Sequence, residues 1–238
     1  MCKEDITFKT PYQILFEDDY LIAVNKPAGI FVHRSSLDPS ATIFMVQEIR
    51  NQIGIRVYPV HRLDRKTSGV LLMAKNKEVQ SVINEMFRLK GIQKKYLAIV
   101  RGYIPEQGTI DYPLKNDSGK IQEAVTSYVN LKKVEINESS GRFDTARYSL
   151  VEVRPVTGRM HQIRKHLSHI FHPIIGDRPH GCNKQNKFFL ERFQLKEMML
   201  HATQLTFMHP ISEKEIIISS NFSGEFARIY TELGFNKI

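Results

Sequence analysis

Apolar positions along this chain fall into two rhythms, a period of two or continuous runs for strands and a period near 3.6 for helices. YQILFED (12–18) and YLIAVNK (20–26) predict a hairpin turning at Asp18 and Asp19. The following KPAG predicts a turn, with Pro27 fixing φ and Gly29 free to go positive. Residues 40–53 place Ile43, Val46, Ile49 and Ile53 near one face of a helix that Gly54 ends. GVLLMAK (69–75) is apolar without a break, which predicts a central strand. NKEVQSVINEMFRLKG predicts a helix capped by Asn76, lined by Val79, Ile83 and Met86 and stopped by Gly91. KKYLAIVRGYI predicts a strand with Tyr96, Ala98 and Val100 on one face. Further strands are predicted at AVTSYVNL, ARYSLVEVRP, LHATQLTFMH and KEIIISS, and helices at GRMHQIRKHLSHI (158–170) and SGEFARIYTELG. The polar stretch 130–145 reads as a hairpin or loop inside one domain. Strands outnumber helices and are joined by short turns, which predicts an α+β fold on a mixed, mostly antiparallel sheet.

Composition adds a partner class. Of 238 residues, 42% are apolar, enough for a full core, and the net charge is +9. That charge fits either an ordinary basic enzyme or one that meets a polyanion. Two cysteines, Cys2 and Cys182, make no disulfide framework and suggest a reducing, cytoplasmic setting. No run of 18 apolar residues exists, and the N-terminus lacks the apolar core of a signal peptide. No repeat or linker marks a boundary, so residues 1–238 are expected to form a single domain.

Three places can carry chemistry. Asp64, between Arg62 and Arg65, stands at the mouth of the predicted central strand. An aspartate ionised at neutral pH is a poor general acid but a good nucleophile or stabiliser of a sugar cation; it equally suits a side-chain cap on the amides of Thr67 and Ser68. The segment 157–177 crowds Arg159, His161, Arg164, Lys165, His166, His169 and His172 together. A metal site through His166 and His169, a phosphate-gripping face and a solvated basic helix all remain open. Tyr96 is a core residue with its hydroxyl tied off or an aromatic that stacks on a base. There is no Walker spacing, no Gly-x-Ser-x-Gly elbow and no Cys-x-x-Cys pair.

Five segments together resemble the RluA-type pseudouridine synthases. They are LIAVNKPAGIFVH, HRLDRKTSGVLLMAK, KKYLAIVRG, GRMHQIRKHL with HPIIGD, and MLHATQLTFMHP, in that order over roughly residues 12–210. The resemblance implies the pseudouridine synthase fold, flanked by helices around a catalytic cleft, with no metal and no cofactor. It implies Asp64 as the catalytic residue, Tyr96 against the flipped uracil and Arg164 as the basic partner of Asp64, able to ease deprotonation of Tyr96. It also implies Arg62 as the wedge that fills the vacated base stack, and Leu200 as a residue packing on the base. The remaining charge should then serve RNA, with Arg65, Lys66, Arg159, Lys165 and Arg178 as candidate phosphate contacts. VHRSSLD, GRFDTARYSLVEVRPVTGR and HPIIGDRPHGCNKQN are closer to members that act on tRNA, at the uridine numbered 65 by convention, than to those acting on ribosomal RNA. A monomer without a separate N-terminal RNA-binding domain is expected, with no obligate protein partner.

Overall fold

The computed structural model describes residues 11–34, 40–139 and 143–236. Cys2 and most of the VHRSSLD stretch lie outside these residues. Strands β1 (Ile14–Glu17) and β2 (Leu21–Lys26) form the expected hairpin. Asp18 closes its turn, Oδ1 accepting the amides of Tyr20 and Leu21 at 2.8 and 2.7 Å. Helix α1 (Met45–Ile53), β3 (Tyr58–Pro59), β4 (Ser68–Ala74), helix α2 (Lys77–Arg88) and β5 (Gln93–Arg101) follow. Then come β6 (Gln107–Asp111), the small pair β7 (Leu114–Lys115) and β8 (Ile121–Gln122), and the long strands β9 (Val125–Ile136) and β10 (Ala146–Pro155). Helices α3 (Gln162–His169) and α4 (Asn183–Phe193), strands β11 (Leu200–Met208) and β12 (Glu215–Ser219), and helix α5 (Gly224–Glu232) complete the order.

One sheet runs β1-β2-β4-β11-β5-β10-β9-β6, with β12 beside β11 and β3 beside β4. Every pairing in it is antiparallel except β4 with β11, where Ser68 faces His201 and Gly69 faces Ala202. Gly69 makes that contact possible: its φ is +107°, and a Cβ there would stand 2.1 Å from the Ala202 carbonyl oxygen. Side-chain alternation explains the unbroken apolar runs. Leu21, Ala23, Val70 and Leu72 pack with Val79 and Ile83 of α2. Ile22, Val24, Leu71 and Met73 pack with Met45 and Ile49 of α1 on the other face. A strand covered on both sides has no polar face to show. A third cluster joins β5 and β10 to Ile163 and Leu167 of α3, Phe189 and Phe193 of α4, and Phe226 and Ile229 of α5.

Several boundaries differ from the pattern. The first helix begins at Met45 because Phe44 is still extended and bridges Phe31, whose carbonyl takes the Met45 amide at 2.9 Å. Helix α2 is capped by Asn76 as expected, Oδ1 accepting the Val79 amide at 2.8 Å. At its end, however, Lys90 rather than Gly91 adopts the left-handed conformation, with φ 61°, and the Gly91 amide closes on the Met86 carbonyl. The polar segment after residue 130 is strand as far as Ile136, because β10 pairs with it along its length. Strand β6 and helix α4 had weak signals. The edge strand β6 buries a single side chain, Ile110, and Cys182 at the start of α4 provides no side-chain cap. No helix among the described residues is long and apolar enough to cross a membrane.

Two histidines, His201 buried and His61 half-buried, make the fold acid-sensitive. The Leu72 amide donates to Nε2 of His61 at 2.9 Å, and Nδ1 of His201 meets the Ser68 hydroxyl at 2.8 Å. Burial pulls their pKa values down to about 3 and about 4. The unfolded chain therefore binds protons that the folded protein refuses once pH falls below the ordinary histidine value near ~6.5, so stability is lost from there downward, by up to ~1.4 kcal/mol per pH unit for each histidine. Thermal melts between pH 7 and 4.5 should show this decline, and His61→Gln should flatten it; parallel curves for the two proteins would refute the assignment.

Candidate active site

Asp64 is placed by its neighbours. Leu63 is buried in the α1 face of the core and Thr67 is buried behind the turn. The Thr67 amide bonds the backbone carbonyl of Asp64 at 3.0 Å. The turn is thus closed by main chain, and the Asp64 carboxylate is released from the capping role that its position also allowed. Lys26 braces the loop from below. It is fully buried, and Nζ donates to the carbonyls of Pro27, Arg65 and Thr67 at 2.8, 3.1 and 2.8 Å. Burial pulls its pKa down to about 7, while the charges of Asp64 and Glu197 hold it up.

Across the cleft, 100 residues later in sequence, α3 delivers Arg164. Its Nη1 donates to Oδ2 of Asp64 at 2.8 Å. Its Nε and Nη2 grip the two oxygens of Asp177 at 2.7 and 2.8 Å. Asp177 is 1% exposed and Arg164 8%, whereas the Asp64 side chain is 22% exposed. The guanidinium fork is therefore locked from behind and offers one remaining donor to the front carboxylate. Among the described residues, Oδ1 of Asp64 accepts no hydrogen bond, so one oxygen is held while the side chain as a whole stays part-exposed.

Three positioning residues lie inside the quoted segments but were not singled out by the sequence. Asp177 is the first. Its loop is fixed by Asn186 of α4, which donates to the Asp177 carbonyl at 2.7 Å and accepts the Gly176 amide at 2.9 Å. A Cβ on Gly176 would stand 1.9 Å from the Glu197 carbonyl oxygen, so only glycine passes there. Gln162 is the second. Buried at the start of α3, it accepts from the Thr157 hydroxyl and the Arg159 amide, and donates to the Val125 carbonyl and the Thr126 hydroxyl. Lys26 is the third. Only an assembled fold shows that a lysine next to a predicted turn is buried.

The other expected residues divide. Tyr96 packs against two core clusters, and burial together with the charge of Asp64 pushes its phenol well above the ordinary range. That leaves it protonated at neutral pH and suited to stacking; nothing in the geometry has Arg164 easing its ionisation. Arg62 is exposed; burial, and after it the nearby Arg62 charge, lower the pKa of the His33 imidazole. Arg65 turns away from Asp64: its Nε donates to the Gly29 carbonyl at 2.9 Å and its guanidinium lies 5.0 Å from the Phe31 ring centre. The cation beside Asp64 is Arg164, not the sequence neighbours. Lys66 lies near Arg178, with burial and that charge lowering its pKa. Arg159 donates to the Glu123 carbonyl and Lys165 to the Lys115 carbonyl, on the β7–β8 side. Leu200 is buried opposite Ala98, two residues before Ala202, which faces Tyr96. The imidazoles proposed for a metal have other partners: His166 bonds the Thr126 hydroxyl and the Tyr112 carbonyl, both at 2.9 Å, and His169 stacks on Tyr112. His161 stands with φ 56°, Nδ1 at 2.9 Å from Nε2 of His180 and Nε2 at 3.9 Å from Asp64.

The lock behind Arg164 sets a ranking. Asp177→Ala strands a buried guanidinium and should cost about 3–5 kcal/mol of stability. Asp64→Ala leaves the fork intact and removes a partly solvated partner, so about 1 kcal/mol or less is expected. Urea unfolding of both variants checks this; the reverse order would mean that Asp64, not Asp177, anchors Arg164.

The chain is similar to known proteins over most of its length. A family model described as RNA pseudouridylate synthase matches residues 20–169, more than half of the chain. The tRNA pseudouridine synthase C of Haemophilus ducreyi is 48% identical over 233 residues, covering 94% of this chain and 96% of that protein. That of Vibrio parahaemolyticus is 44% identical over 236 residues, with 94% and 96% covered. Among solved structures, Human RNA Pseudouridylate Synthase Domain Containing 4 superposes with a TM-score of 0.72 at 26% identity, covering 93% of this chain and 92% of that one. With the matched segment carrying Asp64, Tyr96 and Arg164, and the sheet shared with a solved member, the chain belongs to the RNA pseudouridylate synthase family.

Proposed function

We propose that this chain converts uridine to pseudouridine in tRNA, at the position numbered 65 by convention, with Asp64 as the nucleophile. The observation that carries the reading is the part-exposed Asp64 carboxylate, held through Oδ2 by a locked arginine while its other oxygen accepts no hydrogen bond among the described residues. Detaching uracil from C1′ builds positive charge on the sugar, and a fixed carboxylate stabilises that charge or bonds to it; the same carboxylate can instead add to C6 of uracil. A target base within stacked RNA must first leave the stack, at a cost of a few kcal/mol. Exposed Arg62 is placed to enter the gap, since a flat guanidinium stacks and still meets phosphate. Tyr96 supplies an apolar wall for the flipped base, and its hydroxyl stays protonated while Asp64 is charged. The names that the relatives carry support tRNA as the substrate. The protein is read as a cytoplasmic monomer, one catalytic domain needing neither metal nor cofactor.

Release of tritium from C5-tritiated tRNA tests the reaction, with ribosomal RNA transcripts as the competing substrate. Asp64→Asn should reduce release to background while tRNA affinity stays within about threefold of the parent. Arg164→Lys keeps the charge but cannot span Asp177 and Asp64 together. Misplacing the nucleophile in this way should slow turnover about 100-fold, with a smaller change in KM. Normal turnover in Asp64→Asn would remove Asp64 from the chemistry, and mapping the modified position in RNA from cells with and without the gene decides position 65.

A further inference from the structure

A second cationic feature lies at the start of β5, the strand that carries Tyr96. The start of β5, the end of β10 and the start of β9 frame an open groove of about 380 Å³ whose lining includes Lys90, Lys94, Lys95, Arg154 and Ser127. Tyr96 lies two positions after Lys94 on β5. Lys94 also donates to the Thr157 carbonyl at 3.3 Å, in the turn that leads into α3 and Arg164. The groove is thus physically continuous with the elements that hold the site.

Its charge is poorly balanced. Glu152 pairs with Arg154, Nε to Oε1 at 2.6 Å. Among the described residues, the side chains of Lys90, Lys94 and Lys95 have no carboxylate partner. Burial pulls Lys94 down to about 8, with no acid to hold it up. Lys90, moreover, occupies the left-handed position at the end of α2, φ 61°, where glycine is the least strained residue and has been passed over by one place. Local backbone strain at Lys90 destabilises the free protein, and lysines without carboxylate partners leave positive charge for a bound anion to neutralise. A single buried pocket would suit a free phosphate ion. An open trough bordered by three separate lysines and an arginine suits consecutive phosphates.

We propose that this groove binds the ribose–phosphate backbone of the substrate RNA outside the flipped uridine, and so sets how the RNA lies relative to the active site. This rests on the RNA-modifying reading above. The test is a tRNA titration across a range of salt with K90E/K95E, both surface residues that leave the core and the catalytic groups untouched. K133E/K187E is the control: it makes the same charge change on the far end of β9 and on α4. K90E/K95E should weaken tRNA binding at least tenfold at low salt and lower the slope of log K against log salt by about 2, near 0.9 for each phosphate that is no longer neutralised, with turnover at saturating tRNA within about twofold of the parent. Equal affinity and slope in K90E/K95E and the control would overturn the groove. Preferential displacement of tRNA by inorganic phosphate over chloride at matched ionic strength, in the parent but not in K90E/K95E, would make it a free-anion pocket and overturn the backbone assignment. Failure of the parent to form pseudouridine in tRNA would instead strike the proposed reaction, leaving the binding slopes to judge the groove separately.

Discussion

The structure depends on one guanidinium. Arg164 commits Nε and Nη2 to Asp177 and keeps Nη1 for Asp64. A buried ion pair is a weak source of stability, because desolvation costs roughly what attraction returns. Its value here is geometric. A fork locked on one carboxylate has little freedom in where it presents its last donor, so the second carboxylate is aimed without a flexible partner. The lock itself is built in depth. Asn186 holds the Asp177 loop, Gln162 holds the first turn of α3, and Gly176 lets the chain pass close against Glu197.

The sheet supplies the other half of that aim. The parallel contact of β4 with β11 at Gly69 and Ala202 joins the strand that follows Asp64 to the strand that begins at Leu200, and β11 in turn pairs with the strand of Tyr96. Asp64 and Tyr96 are therefore brought together by strands only two neighbours apart in the sheet, and α3 adds Arg164. Lys26 completes the arrangement from beneath by tying three carbonyls of the loop to one nitrogen. Each of these side chains comes from a different segment. The site exists only when the sheet is in register.

Charge serves two separate purposes in this molecule. At Asp64 the cation is paired, Arg164 bridging Asp64 and Asp177, and the sequence neighbour Arg65 is turned to Gly29 and Phe31. Along the neighbouring groove the lysines lack carboxylates. The bulk value of +9 averages over both, which is why net charge suggested a polyanion partner without locating its contacts.

By itself the sequence determined the strands and helices whose burial is two-sided or amphipathic: β2, β4, β5 and α2 are legible because alternation or its absence reports directly which faces are covered. It also determined the chemistry on offer, since Asp64, Tyr96 and Arg164 stand in stretches whose residue types recur together in one family. What it did not determine was partnership. Arg62 and Arg65 flank Asp64 in the chain, yet Arg164 is the residue that bonds it, because a rigid loop points adjacent side chains apart while folding closes a separation of 100 residues. Asp177, Gln162 and Lys26 look like any polar residues until burial removes water as an alternative partner and leaves the protein as the only source of hydrogen bonds. Tertiary structure decided those pairings for that reason: the competition between solvent and protein for a polar group is settled by what surrounds it in space.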